Sequence, residues 1–101
     1  MRTIAAVRLD KVRPAVILTR RAKIDRLTSI TVAPITSTIR DIPTEVRVGP
    51  RNGLDHESVA TFDNITTVPV EDVGRTIGLL FDDQEADVAL AISEAFELHL
   101  A

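Results

Sequence analysis

Between Ser29 and Arg40 the chain reads Ser-Ile-Thr-Val-Ala-Pro-Ile-Thr-Ser-Thr-Ile-Arg. Ile30, Val32 and Pro34 alternate with Thr31 and Ala33, and β-branched residues dominate, so this spacing predicts a half-buried strand. Pro34 has no N–H to give a ladder, and the strand is expected to stop or bulge about there. The hydroxyls of Thr36, Ser37 and Thr38 then fall at a strand end, where side chains can face a cleft, with Arg40 close behind. The same residue types also cap and turn chains, so alone they assign no function.

The flanking segments favour the same class of fold. Thr3–Leu9 reads as a first strand, followed by a very short connection, Asp10-Lys11-Val12. Arg13-Pro14 then introduces Ala15–Thr19, a continuous apolar run that is too short for a helix and is expected to be a central strand. Pro14 is expected at the strand's first position, where a missing donor is tolerated. Arg20–Leu27 reads as a basic loop. Thr44–Val48 predicts an exposed fourth strand, Ser58–Phe62 a fifth and Ile65–Val70 a sixth. Glu71–Arg75 is expected as a helical turn and Thr76–Phe81 as the last strand. At the end, Asp82 and Glu85 form a capping-box pattern ahead of a helix. Its apolar stripe is Val88, Ala91, Ile92, Ala95, Phe96 and Leu98 or His99. Short strands with one terminal amphipathic helix predict a mostly β (α+β) fold: a small half-open barrel of antiparallel strands, its open end covered by the helix. Residues 1–101 are expected to be one domain.

Composition removes several function classes. There is no cysteine, hence no disulfide and no thiolate nucleophile, and the two histidines, His56 and His99, make none of the usual metal-ligand spacings. No cofactor or metal is therefore expected. No apolar run approaches a bilayer-spanning length and no signal-peptide pattern opens the chain, so a cytoplasmic location is the expectation. The net charge of −3 is unevenly spread. Residues 1–26 carry eight basic against two acidic side chains, whereas the remainder carries four arginines against thirteen acids. A basic surface on an acidic body can still attract phosphate, because screening makes the near field dominate.

Three segments in order carry a family pattern: Arg13-Pro14-Ala15-Val16-Ile17-Leu18, then Thr31-Val32-Ala33-Pro34-Ile35-Thr36-Ser37, then Gly53-Leu54 through Ser58-Val59 to Asp63-Asn64-Ile65. Together with Ile77-Gly78 and the terminal helix, the chain resembles the MazF/PemK family of toxin endoribonucleases from toxin–antitoxin operons. Two departures stand out. The family's Gly-Asp-Ile type start and long glycine-containing loop are replaced by Arg2-Thr3-Ile4 and the short Asp10-Lys11-Val12, and Asn64 stands where the family often has Gln. The resemblance implies a homodimer of SH3-like barrels that cuts single-stranded RNA at short motifs without a metal. It also implies a cognate MazE-like antitoxin whose acidic tail occupies the same groove, and Arg13 and Thr36 as the catalytic pair.

Metal-free cleavage by a ribose 2′-OH needs help with growing phosphorane charge and with the leaving 5′-oxygen. Arg13 offers a planar donor fork suited to phosphate, and Thr36 a hydroxyl to the same group. Arginine is too basic to act as the general base, which these residues leave open. His56 offers an imidazole for that role, but it falls in a loop and is expected as a surface residue. Arg8, Lys11, Arg20, Arg21 and Arg40 are expected to track the RNA backbone, with Ser37, Thr38, Asp63 and Asn64 as further RNA contacts. With only three aromatics, base stacking is not expected to dominate recognition. The rival expectation is a non-catalytic toxin on the same fold, of the CcdB type that binds DNA gyrase. Such proteins rely on an aromatic-bearing C-terminus, which His99-Leu100-Ala101 lacks.

Overall fold

A computed structural model describes residues 1–20 and 26–99. Seven strands precede one helix: β1 (Arg2–Arg8), β2 (Val12–Ile17), β3 (Ser29–Thr36), β4 (Glu45–Val48), β5 (Ser58–Thr61), β6 (Thr66–Pro69), β7 (Val73–Leu80) and α1 (Glu85–Ala95). They form one antiparallel sheet in the order β4-β5-β3-β2-β1-β7, with β6 also pairing β3. β3 carries two partners on one edge. Its first half pairs β6 (Ser29↔Pro69 to Val32↔Thr66), and its end pairs β5 (Ile35↔Ala60, Thr36↔Val59). That change of partner curls the sheet into a half-open barrel.

The continuous apolar run in β2 reflects burial on both faces. On one face Ile4, Val16, Ala33 and Ile35 pack with Val46, Ala60, Phe62 and Leu80 beneath Val88 and Ala91 of the helix. On the other, Ala5, Val7, Ala15, Ile17, Ile30 and Val32 close over Val68. β4 is an edge strand but only half exposed, because Val46 and Val48 point into the first cluster.

Pro14 and Pro34 sit inside their strands rather than at the ends. Thr31 turns its N–H to Thr19 Oγ1 and its C=O to the Leu18 N–H, both on the β2 side. By alternation, the Pro34 nitrogen faces the opposite edge, in the gap where β3 passes from β6 to β5. No ladder bond is lost, and β3 runs on to Thr36. Pro14 is the third residue of β2 and pairs Ala6. Its nitrogen faces β3 just beyond the last β2–β3 pair, Ala15↔Pro34, so the missing donor coincides with the point where those strands separate.

β7 begins at Val73, which pairs Val7, so only Val70–Asp72 forms a 3₁₀ turn and Arg75 lies on a strand. The helix start also differs from the capping-box pattern. Gln84 Oε1 accepts from the Phe81 N–H at 3.0 Å, while Glu85 is taken by Arg2. The helix stripe ends at Ala95. Leu98 N donates to Ser93 O and Glu97 N to Glu94 O around a left-handed Glu97 (φ 54), which turns Phe96 and Leu98 out to solvent.

Candidate active site and RNA groove

The divergence of β2 and β3 at Pro14 builds the site. Continued past Ala15↔Pro34, the register sets Arg13 opposite Thr36 on the two splayed strand ends. Two clefts open there, of about 470 Å³ and about 640 Å³, and Arg13, Ile35 and Thr36 belong to both. The pair therefore stands on a ridge between two hollows.

Arg13 is half-buried and held from one side. Its Nε donates to Asp10 Oδ1 at 2.9 Å and its Nη2 to Asp10 Oδ2 at 3.0 Å. These parallel bonds use two of five N–H groups and leave the other three available for a ligand. The hydrogen bond from Arg13 holds the Asp10 carboxyl well below the usual carboxylate range, and Asp10 in turn raises Arg13 further above its ordinary value. A guanidinium so placed is a fixed cation, not a proton acceptor. Thr36 is oriented by its own turn: Oγ1 accepts from the Thr38 N–H at 3.2 Å, which leaves the hydroxyl proton to donate.

The smaller cleft is walled by Lys11 and Pro14, Ser37, the Gly53–His56 loop and, from β7, Arg75 and Ile77. The larger is lined by Arg8, Thr38, Arg40, Thr61, Asn64 and Thr66, with Asp10 and Glu45 as its acids. Glu45 Oε1 accepts the backbone N–H groups of Arg40 and Asp41, fixing the turn that carries the Arg40 side chain. Asn64 Nδ2 reaches Thr61 Oγ1 at 3.5 Å.

Most of the residues expected from sequence thus converge here, but Asp63 and Arg20 do not. Asp63 accepts from Thr44 Oγ1 at 2.6 Å and lines neither cleft. Arg20 borders a separate depression with Arg2 and Glu85. Arg21 lies outside the described residues. Arg75 and His56 are additions to the groove. The i, i+3 spacing of Asp10 and Arg13 across a tight connection was the available signal for their ion pair. Nothing local pointed to Arg75, which reaches the cleft only through the β1–β7 pairing.

A small curled barrel with a hydroxyl- and cation-bearing groove defines a class that handles phosphate chains. Residues 5–96 match the family described as PemK-like, MazF-like toxin of type II toxin–antitoxin systems. The chain is 51% identical over 98 residues to Endoribonuclease MazF3 of Mycobacterium tuberculosis, covering 97% of this chain and 95% of that protein. The solved Mycobacterium tuberculosis toxin MazF-mt6 is 49% identical and superposes with a TM-score of 0.95 over 97% of this chain and 99% of that one. A mycobacterial endoribonuclease solved with its cognate antitoxin is 24% identical and shares the fold, with a TM-score of 0.86 over 98% of this chain and 95% of the other. The chain belongs to the PemK- and MazF-like toxins of type II toxin–antitoxin systems, and it is an endoribonuclease of that family. This assignment sets aside the gyrase-binding alternative. Among the described residues, no helix is long and apolar enough to cross a membrane.

Proposed function

We propose that the Arg13–Thr36 ridge is the cleavage centre of a metal-independent, sequence-specific endoribonuclease acting on single-stranded RNA. The observation that carries this reading is the shared position of the two residues, register-matched on splayed strand ends and common to both clefts. A phosphodiester on the ridge lets the RNA continue into a hollow on each side. The ribose 2′-OH attacks phosphorus, the P–O5′ bond breaks, and a 2′,3′-cyclic phosphate and a 5′-OH result. The three free N–H donors of Arg13 and the Thr36 hydroxyl proton supply charge-assisted hydrogen bonds to the phosphorane oxygens as negative charge grows there. Arg8, Lys11 and Arg40 guide the flanking phosphates, while Ser37, Thr38 and Asn64 offer polar groups to ribose and base edges.

The same reading makes residues 1–101 one domain that works in the cytoplasm as a homodimer and inhibits translation and growth by cutting single-stranded RNA. A MazE-like antitoxin then restrains it by laying an acidic segment along the cationic groove.

The test is incubation of the purified protein with a long single-stranded RNA in EDTA, beside Arg13→Ala, with fragment ends mapped. Discrete cuts bearing cyclic phosphate and 5′-OH ends, absent in the variant, are expected. Intact RNA, or cuts that persist in a folded Arg13→Ala protein, overturns the assignment.

A further inference from the structure

Among the described residues, two acids line the larger cleft beside Arg8, Arg13 and Arg40. Asp10 commits both carboxylate oxygens to Arg13. Glu45 commits only one. Its Oε1 accepts the Arg40 N–H at 3.0 Å and the Asp41 N–H at 2.9 Å, while Oε2 takes no hydrogen bond among the described residues. Arg47, two residues along β4, is close enough to feel the Glu45 charge, yet its Nη2 donates to Asp41 Oδ1 at 2.7 Å.

A carboxylate in this cleft works against phosphate binding, because like charges repel. Two backbone bonds nonetheless hold it there, half-buried, with an acceptor left over. Its surroundings suit the flat, less charged part of a nucleotide. Glu45 pairs with Thr61 across β4 and β5, so both side chains stand on the sheet face opposite the buried Val46 and Ala60. Asn64 turns its Nδ2 to Thr61 Oγ1 at 3.5 Å, which leaves its Oδ1 as a second acceptor. Leu9, Pro34 and Val68 give the same cleft an aliphatic lining.

We propose that Glu45 is a specificity-determining residue: its Oε2 accepts a hydrogen bond from the exocyclic amino group of an RNA base lying against that aliphatic lining. This rests on the reading of the groove as an RNA site. The carboxylate repels a phosphate but attracts the amino groups of cytosine, adenine and guanine, as acidic side chains do in reading cytosine N4. Uracil has no amino group, and its N3–H lies between two carbonyl oxygens whose lone pairs would face Oε2. Uracil is therefore disfavoured at one position of the cut site.

The test maps the cut sites of the native protein, Glu45→Gln and Glu45→Ala in a long single-stranded RNA of random sequence, in EDTA. At one position of the native site, uracil should be depleted about tenfold against the best amino-bearing base, the scale of one hydrogen bond to a charged group. Glu45→Gln keeps an oxygen for the Arg40 and Asp41 N–H groups but puts an amide donor where Oε2 was. Uracil should then be cut at that position at least as fast as the amino-bearing bases, with preferences elsewhere in the site unchanged. Glu45→Ala also loses the anchor of the turn, and should cut more slowly with no preference at that position. A native base profile that persists in Glu45→Gln overturns the proposal, because a carboxylate that only fixes the turn, or only touches a ribose hydroxyl, leaves base preference alone. Discrete native cuts with no position that disfavours uracil overturn it too, and leave the cleavage centre standing. Intact RNA with the native protein counts against the groove as an RNA site, and the proposal falls with it.

Discussion

Asp10 grips Arg13 edge-on, with both carboxylate oxygens engaged at 2.9 and 3.0 Å. The shortness of the β1–β2 connection makes this geometry available, since only Leu9, Asp10 and Lys11 separate the two strands. The carboxylate both aims the guanidinium and competes with any phosphate for it.

If aiming outweighs competition, Asp10→Asn lowers kcat by about ten- to a hundredfold, the scale of a misplaced catalytic group. If competition outweighs it, the variant cuts faster. The pH profile separates Asp10 from other groups. Its carboxyl is depressed by the Arg13 hydrogen bond. A depressed acid contributes fully above its ordinary range near pH 4 and is lost only well below it. The pair is therefore constant from pH 5 to 9, and Asp10→Asn should scale the cleavage profile over that window without changing its shape.

Thr36 is expected to act on the transition state rather than on binding. One of its two Oγ1 lone pairs is used by the Thr38 N–H, and the hydroxyl proton is free to be donated to RNA. Thr36→Val keeps the shape and removes the donor, and should cost about 10²-fold in kcat while leaving Kd for an uncuttable probe within about twofold. Thr36→Ser restores the donor and should recover most of the rate. Equal loss in the Val and Ser variants would show that the hydroxyl alone does not account for what Thr36 contributes.

Phosphate tracking can be read from salt. Each phosphate neutralised on a single strand contributes about 0.7 to the slope of log Kd against log salt. Arg40 lines the larger cleft and Arg20 a depression elsewhere. Arg40→Ala should lower the slope by about that amount, and Arg20→Ala should leave it unchanged. A drop with Arg20→Ala would mean that RNA runs well beyond the two clefts.

Much of this fold was legible because the short β-branched runs and the 3.6-residue stripe reflect burial directly. Ala15–Leu18 is apolar at every position because β2 is covered on both faces. Arg13 and Thr36 were singled out by the family pattern, and the structure brings them together on the same two clefts. The misreadings share a physical cause, which is dependence on distant partners. Gly74 and Arg75 resemble a turn until β7 pairs with β1. Glu85 completes a capping pattern on paper, yet Arg2 lies across the barrel mouth and takes it in three hydrogen bonds. His56 belongs to the groove only because Gly53 nests on Gly78, an approach with no local signature.

The last prediction concerns what holds that wall. Asn52 and Gln84 are buried and bonded to each other, Nδ2 to Oε1 at 2.8 Å and Nε2 to Oδ1 at 3.4 Å. Outward, Asn52 ties Leu79 O and the Gly49 N–H, and Gln84 ties Arg47 O and the Phe81 N–H. Four backbone segments thus share two amides, and no buried side-chain polar atom among the described residues is left unpaired. Asn52→Leu removes both bonds to the Gln84 amide and leaves Leu79 O and the Gly49 N–H without their side-chain partner, and should cost about 2–4 kcal/mol in urea unfolding, as should Gln84→Leu. The double variant removes both halves of the central pair, so its cost should fall short of the sum by about 1 kcal/mol or more. Strict additivity would show two independent anchors instead of one network. Because the Asn52 carbonyl lies where a Cβ on Gly78 would sit, at 1.8 Å, Gly78→Ala should push out this same segment. It should destabilise by about 3 kcal/mol, as severe overpacking does. Where the protein still folds, it should weaken RNA binding through the displaced His56 loop while leaving the Asp10–Arg13 pair in place.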